Sequence, residues 1–450
     1  MLKAFATGPD LPLRTDIDVD SVYRRHRMSI IIAITAGYAV SYMCRLAINV
    51  VKKPLIDGGI FTPEDLGNIG SALFYSYAAG KLINGFVADH ANVRRFMAIG
   101  LVMSALCNIV MGFSTTVAVA TIVWGLNGWF QSYGAPASVV ALASWFSNKE
   151  RGRYYGIWST AHSIGEGLTF LVTASLVATL GWHWGFWGPG IATMVAAVAT
   201  YFAMADRPRT MGLPAVADWK GDRYEPTDAE AAALAAKPPK GVFVTQLGIT
   251  KIPAVWIVAV SSALVYVTRY AINSWGILYL QEVRGYSLVQ AGSMLTISTL
   301  AGIAGAVAFG FISDKFFAAR RPPANLLFGI IEIIGLVLLF YGPTGVLWTS
   351  LSMLLFGLGM TGLVTSVGGL FAIDICPKRV AGAALGMVGV FSYIGAGIQE
   401  NISGKLITAG MTKVNGVNHY DFSTVILFWI GASVVSLLLA STLWNTRLRD

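Results

Sequence analysis

The chain has 450 residues, of which 55% are hydrophobic and only 12% are charged, and its formal net charge is +9. Because soluble globular proteins carry roughly 25% charged residues, this composition excludes an ordinary cytosolic domain and favours a protein dissolved in lipid. Its three cysteines, Cys44, Cys107 and Cys376, are an odd number, and two lie in apolar runs. No disulfide framework is therefore expected.

Apolar runs close to the ~20 residues that a helix needs to cross a bilayer recur along the whole chain. They lie at residues 29–51, 67–88, 96–115, 117–140, 154–179, 183–205, 253–283, 288–312, 325–342, 346–372, 382–409 and 422–444. In lipid a helix satisfies its own backbone hydrogen bonds. The pattern therefore predicts an all-α membrane protein with twelve transmembrane helices.

One long polar stretch, residues 206–252, divides these spans six and six. Its proline, glycine and charge content is typical of a cytoplasmic linker. The predicted domains are an N-terminal half at 29–205 and a C-terminal half at 253–444, with cytoplasmic tails at 1–28 and 445–450. The first tail is polar and charged, so no cleaved signal peptide is expected.

The basic residues predict how the helices are oriented. An even number of spans places both termini on one side, and that side carries most of the Lys and Arg residues outside the spans. The opposite side holds only Lys52, Lys53, Arg284 and Lys413. The positive-inside rule therefore predicts a multi-pass protein of the inner membrane with both termini in the cytoplasm. This arrangement also accounts for the net charge without a nucleic-acid partner.

The two halves repeat each other in sequence. The repeat is seen in three pairs of segments: Tyr42–Asn49 (YMCRLAIN) with Tyr266–Asn273 (YVTRYAIN), Gly85–Asp89 with Gly310–Asp314, and Gly152, Gly156 and Gly165 with Gly382, Gly386 and Gly395. Three matches in the same order indicate a duplicated six-helix unit. In transporters built from two parallel repeats, the substrate binds between the halves.

Four cations, Arg45, Lys81, Arg269 and Lys405, fall within predicted spans. A cation in the bilayer costs at least ~2.5–3.5 kcal/mol, so each is a candidate functional residue. The repeat places Arg45 and Arg269 at equivalent positions, where both would face the central cleft and hold one anion between them. A guanidinium fork matches phosphate oxygens. The alternative is that each arginine forms a structural ion pair, although no acidic residue is repeated beside both. Lys405 lies near a helix end, where snorkelling accounts for it.

Further candidates surround these arginines. The ordinary pKa of histidine is near neutral, which would suit His162 to hydrogen bonding with a bound phosphate. Alternatively, His162 is a packing residue. Lys81 is a third anion contact or a snorkelling side chain. The tyrosines would donate hydrogen bonds to a phosphorylated solute or serve in packing: Tyr38, Tyr42, Tyr266 and Tyr393.

Three acidic residues also lie well inside predicted spans. Glu166 shares a helical face with His162, and Glu400 shares one with Tyr393, so both are candidates for proton coupling or for pairing with an amine. Glu332 lies in the middle of a span, and the sequence assigns it no role. No nucleotide-binding loop, metal-ligand cluster or hydrolase triad is visible, so neither a cofactor nor an enzyme activity is expected.

The paired Gly-x-x-x-Asp segments resemble the signature loops of the major facilitator superfamily. Within it, nearly the whole chain resembles the organophosphate:phosphate antiporter family. The segments that carry this resemblance are Gly37–Arg45, Tyr77-x-x-x-Lys81, Gly128-Trp-Phe-Gln131, Glu150-Arg-Gly152 with Trp158 and His162, Arg207–Pro214, Val265–Arg269 with Trp275, and Phe391–Gly395. The stretch Arg207–Trp219 and the N-terminal tail look most like the hexose-phosphate sensor branch.

The resemblance implies the major facilitator fold, phosphate binding by Arg45 and Arg269 with help from His162, and exchange of an organophosphate for inorganic phosphate. Some positions depart from the family pattern: a glycine is replaced by Glu166, and an acid of the eighth helix by Thr299. Two other functions stay open. One is a hexose-phosphate receptor that signals to a sensor kinase, and the other is a proton-coupled symporter of a small organic anion. The fold implies a monomer.

Overall fold

The computed structural model describes residues 5–221, 248–318, 320–376 and 380–445. Most of the predicted linker, the end of the C-terminal tail and eight of the basic residues used to predict topology lie outside the described residues. These eight are Lys3, Arg223, Lys237, Lys240, Lys378, Arg379, Arg447 and Arg449.

The N-terminal half is a bundle of helices with short connections. In chain order they are α1 (Val19–Asp57), α2 (Pro63–His90), α3 (Val93–Met111), α4 (Val117–Gln131), α5 (Gly134–Trp145), α6 (Asn148–Ser159), α7 (Ala161–Leu168), α8 (Ala174–Leu180) and α9 (Trp184–Ala203). A π-helical turn, Thr169–Thr173, joins α7 to α8. The start of α2 shows how sequence sets these ends, because Thr62 and Asp65 form a capping box and Pro63 occupies the first helical position.

The C-terminal half follows a 3₁₀ turn at Pro208–Met211, the short helix α10 (Val216–Lys220) and a second 3₁₀ turn at Gly248–Lys251. It contains α11 (Pro253–Glu282), α12 (Leu288–Phe316), α13 (Arg321–Tyr341), α14 (Val346–Thr365), a π-helical turn (Ser366–Leu370), α15 (Phe371–Asp374), α16 (Ala381–Ala409), the antiparallel hairpin β1 (Met411–Val414) and β2 (Val417–Tyr420), and α17 (Ser423–Ser441). In the hairpin Met411 pairs with Tyr420.

The helices occupy all twelve predicted spans, and three spans are interrupted. In the described residues, ten helical segments are long and apolar enough to cross a membrane by length and composition. The other two positions are α2, which carries charged residues, and the fourth span, which is divided into α4 of 15 residues and α5 of 12 residues. The predicted fold class is confirmed, and the count of twelve is consistent with this architecture.

The outer surface of the bundle is apolar. Phe202, Leu347 and Val307 are 75%, 74% and 71% exposed, and many other large apolar side chains share this surface. A soluble monomer rarely exposes so large a contiguous apolar area. Lipid tails are the solvent that suits it, as the composition predicts.

The described part of the linker folds against the N-terminal half. The Asp206 carboxylate accepts hydrogen bonds from Thr7 Oγ1 at 2.6 Å and from the Val93 backbone N–H at 3.1 Å. The Trp219 ring stacks on Tyr23 with centroids 4.1 Å apart. The N-terminal segment and the beginning of the linker therefore form an ordered layer at one end of this half.

The contacts between the two halves are concentrated at one end of the bundle. Among the described residues, the hydrogen bonds and ion pairs between the halves lie at or beyond the level of Arg45 and Arg269, towards Asp57 and Glu282. Lys81, beside the Tyr393 ring, makes a contact on the open side of this level. At the other end the glycines on the facing helices have open space where a Cβ would be: Gly85, Gly152, Gly156, Gly382 and Gly386. The cleft is closed on one face and open towards the face that carries the start of α1.

Glycine makes the closed end possible. A Cβ on Gly67 would lie 2.5 Å from the Glu400 carbonyl oxygen and 3.0 Å from the Gly404 Cα. Both neighbours are backbone atoms of the other half, so neither can give way by changing a rotamer. Small residues allow helices to approach this closely in membrane proteins.

We predict that Gly67→Ala forces the halves apart at the closed end. A cysteine placed at Asn401, which donates to Asn68 at 2.5 Å across this interface, reports the opening through labelling by a water-soluble maleimide. Labelling is expected to rise severalfold. Gly431→Ala is the control, because a Cβ there meets no atom within 4 Å. Equal labelling of both variants would contradict the glycine contact.

Candidate anion site between the two halves

Arg45 lies in the middle of α1 and is 2% exposed. Its guanidinium carbon lies 4.4 Å from the ring centroids of both Tyr42 and Tyr77. Its nitrogens donate to Tyr393 Oη and Gln131 Oε1, each at a long 3.4 Å, and Nε has no partner. In the described part of the chain, no carboxylate lies within ion-pair distance. Arg45 is thus a buried cation with unused hydrogen-bonding capacity.

Buried amides hold the backbone of α1 beside Arg45. The Cys44 carbonyl accepts from Asn108 Nδ2 at 3.1 Å and from Asn127 Nδ2 at 3.0 Å. Gln131 Nε2 donates to the Ser41 carbonyl at 2.8 Å, while its Oε1 faces Arg45. Because Gln131 is the last residue of α4, the break in the fourth span aims this amide at the arginine.

Arg269 occupies the equivalent position on α11, but its surroundings differ. It forms an ion pair with Glu166 of the other half. Its guanidinium also lies beside Tyr266 and Tyr270, 5.7 Å and 5.6 Å from their ring centroids. The sequence analysis did not connect Glu166 with Arg269, because the two residues are 103 positions apart.

The breaks in the fifth span position His162 and Glu166. Both lie on the eight-residue helix α7, between the interruption at Thr160 and the π-helical turn. His162 Nδ1 contacts the Ser159 carbonyl at 2.5 Å, and its ring centroid is 6.3 Å from that of Tyr42. Such π-helical turns are frequent at functional sites. Here the turn packs against α12, where a Cβ on Gly292 would lie 2.0 Å from the Phe170 carbonyl oxygen.

Aromatic rings connect the two arginines. Tyr77 lies 4.3 Å from Tyr393, which lies 5.6 Å from Tyr266, measured between centroids. Tyr38 joins the layer through Tyr42 at 5.4 Å. Lys81 is exposed in the open cleft, and its Nζ is 5.4 Å from the Tyr393 ring.

A chain of contacts therefore joins all eight residues predicted for substrate binding: Arg45, Arg269, His162, Lys81, Tyr38, Tyr42, Tyr266 and Tyr393. Sequence reasoning did not select four other members of the cluster: Tyr77, Gln131, Trp158 and Tyr270. Tyr77, Gln131 and Trp158 do stand in the motifs that carry the family resemblance.

A second polar cluster lies on the closed side of this layer. Lys52 Nζ is 3.2 Å from Glu400 Oε2, 3.0 Å from Ser274 Oγ and 3.3 Å from the centroid of the Trp275 ring. Ser274 Oγ also donates to Asn49 Oδ1 at 2.9 Å and contacts Glu400. Each charged side chain is 1% exposed. The cluster joins α1 of one half to α11 and α16 of the other.

This cluster corrects the prediction that Lys52 lies in the loop on the outer side. The first span was predicted to end at residue 51, whereas α1 continues to Asp57 with Pro54 inside it. The extra turns carry Lys52 into the interface between the halves, where it pairs with Glu400.

Glu332 lies outside the cleft. It is fully buried on α13 and contacts Ser433 on α17, while its Oε1 has no partner. Lys405 is exposed on α16, in keeping with snorkelling.

The family model described as "Major Facilitator Superfamily" matches residues 34–399. The chain belongs to the major facilitator superfamily. It is 34% identical over 447 residues to a protein of Salmonella typhimurium named "Membrane sensor protein UhpC", covering 97% of each chain. It is 31% identical to the "Glycerol-3-phosphate transporter" of Bacillus subtilis, covering 99% of this chain and 98% of the other.

A solved structure has the same fold. A bacterial homologue of the human lysosomal transporter Spinster, in an inward-facing and unoccupied conformation, matches with a TM-score of 0.70 at 16% identity, over 93% of this chain and 96% of the other. These matches confirm the predicted family and fold. Membership of a family of transporters also supports the expectation that the chain is not an enzyme.

We predict that Lys52→Met lowers the free energy of unfolding by about 3–5 kcal/mol, because it leaves Glu400 buried without a counter-charge. The double variant Lys52→Met/Glu400→Leu should recover most of the loss. The measurement is the thermal unfolding midpoint of each purified protein in one detergent.

Lys53→Met is the matched control. Its partner Glu282 is 13% exposed and Lys53 is 31% exposed, so the change should cost about 1 kcal/mol or less. A double variant less stable than Lys52→Met would contradict the assigned pairing.

Proposed function

We propose that the protein is a secondary transporter that exchanges an organophosphate, of the sugar-phosphate or glycerol-phosphate type, for inorganic phosphate. The observation that carries this proposal is Arg45, a buried guanidinium with no carboxylate beside it in the described residues. Such a cation is costly to bury, and an anion that reaches it offsets that cost. The named activity of the Bacillus subtilis relative supports a phosphorylated solute.

The proposed mode of binding follows from the side chains around the cleft. The fork of Arg45 would donate hydrogen bonds to two oxygens of a phosphoryl group, while Arg269 would approach that group from the opposite half. His162 and the tyrosine hydroxyls supply further hydrogen bonds, and Lys81 adds positive charge at the open side. The organic part of the solute would lie against the Tyr393 and Tyr266 rings, which contact each other with centroids 5.6 Å apart.

The proposed transport cycle is alternating access by rocking of the two halves. With the site empty, the uncompensated positive charge of Arg45 resists closure of the open end. A bound phosphate offsets this charge and draws the halves together, so the solute itself drives the change through its differential affinity. Exchange is obligatory when the empty protein crosses slowly. At the closed end, the pair Lys52–Glu400 would have to separate before that end opens.

The orientation is part of the proposal. With both termini in the cytoplasm, the open end faces the cytoplasm and the contacts from Lys53 to Glu282 face outwards. The described residues agree with this orientation, since the ordered layer at the open end contains Arg14, Arg24, Arg25 and Arg27. One chain encloses the whole cleft, so a monomer is sufficient.

A receptor is a second candidate, favoured by the relative from Salmonella typhimurium, which is named a membrane sensor. In that case the same cleft would bind the phosphorylated solute and report occupancy to a kinase partner, with little flux. A proton-coupled symporter is a third candidate, favoured by Glu166 and Glu400, two buried carboxylates that pair with cations across the halves.

Counterflow distinguishes these candidates. Proteoliposomes loaded with inorganic phosphate are expected to accumulate labelled external phosphate, and glycerol 3-phosphate or a hexose 6-phosphate should compete. Binding of a hexose phosphate without exchange would establish the receptor instead. Dependence of uptake on a pH gradient, without any need for internal phosphate, would establish the symporter.

We predict that Arg45→Lys and Arg269→Lys each abolish phosphate exchange and leave the thermal unfolding midpoint of the protein nearly unchanged. Lysine keeps the positive charge but loses the fork that holds two oxygens. Arg24→Lys, an exposed arginine on the same helix as Arg45, serves as the control and should transport normally. Normal exchange by Arg269→Lys would contradict the two-arginine site.

A further inference from the structure

The two arginines, equivalent in the sequence repeat, have different partners. Arg45 contacts neutral groups only among the described residues, whereas Arg269 forms an ion pair with Glu166. In that pair the Arg269 side chain is 12% exposed and the Glu166 side chain 6%. The carboxylate therefore takes up Nη2 of Arg269, a donor that a ligand oxygen could otherwise use.

Glu166 is held so that it can leave this position. It lies on α7, a helix of eight residues between a break and a π-helical turn, and the same helix carries His162. Thr299 of the facing helix α12 lies close to Gly167, the residue that follows Glu166. A Cβ on Gly167 would lie 3.3 Å from Thr299 Oγ1. A carboxylate on a short, interrupted helix can withdraw without moving a whole span.

We infer that Glu166 is an internal anion that occupies Arg269 when the cleft is empty and that a ligand phosphate must displace it. This inference rests on the proposed function. Glu166 is then a specificity-determining residue, because it sets how strongly an anion must bind before it engages both arginines. When a binding site is available in only a fraction of the molecules, the apparent affinity of the ligand falls in proportion to that fraction.

The inference also explains why the halves meet at this level without a ligand. The Glu166–Arg269 pair crosses from one half to the other, so the carboxylate stands in for the phosphate as the bridge. Arg45 has no such substitute, which leaves it as the first arginine available to an incoming anion.

The test compares phosphate affinity of the purified full-length protein with that of two variants in nanodiscs, using isothermal titration with inorganic phosphate. Glu166→Gln removes the competing charge and should tighten binding by on the order of tenfold. Glu282→Gln is the matched control, because it breaks another ion pair between the halves, with Lys53, far from the arginines. Its affinity should equal that of the wild type.

The outcomes separate the inference from the proposed function. If the wild type binds no phosphate, the proposed function fails. If the wild type binds and Glu166→Gln binds equally or more weakly, Glu166 only orients Arg269 and the inference is overturned. Equal tightening in both variants would assign the gain to looser halves and would also overturn it. Should Glu166→Gln fail to fold, Glu166→Asp keeps the charge on a shorter arm and must still bind phosphate more tightly than the wild type.

Discussion

The structure depends on one constraint, a guanidinium buried among membrane helices without a carboxylate to balance it among the residues that the structure describes. A charge at this depth costs at least ~2.5–3.5 kcal/mol, and the tyrosine faces and long hydrogen bonds around Arg45 compensate for only part of that cost. The surrounding features serve to keep this cation in place. Side-chain amides of Asn108 on α3 and Asn127 on α4 hold the backbone of α1. The break after Gln131 directs the side-chain oxygen of that residue at Arg45.

The two halves repeat each other in sequence, but their central arginines have different partners. Arg269 pairs with a carboxylate of the opposite half, whereas Arg45 has no carboxylate beside it in the described part of the chain. The closed end is also asymmetric, since Lys52 and Glu400 pair there in a site that the sequence repeat does not reproduce. A single layer of rings and cations thus lies between a closed polar cluster and an open cleft, the arrangement expected of one state in an alternating cycle.

Hydropathy and internal repetition predicted the fold because both can be read from the sequence without knowing which distant residues touch each other. The spans, the division into halves and the equivalence of Arg45 and Arg269 could all be read from spacing. The contacts between the halves could not, because Glu166 and Arg269 are 103 residues apart and Lys52 and Glu400 are 348 apart. The end of α1 was placed too early, because lysines and a proline near a span end are typical of a loop. The interruptions in the fourth and fifth spans leave no hydropathy signal, yet they aim Gln131 and His162 at the site.

The central claim is that an anion between the arginines draws the halves together, and the open end offers a direct measure of it. Spin labels at Gly156 and Gly386, equivalent positions where a Cβ meets no atom within 4 Å, report the distance across the cleft by double electron–electron resonance. The account predicts that saturating inorganic phosphate shifts this distance to shorter values, and that Arg45→Lys removes the shift. A distance that stays unchanged while phosphate is bound would contradict it.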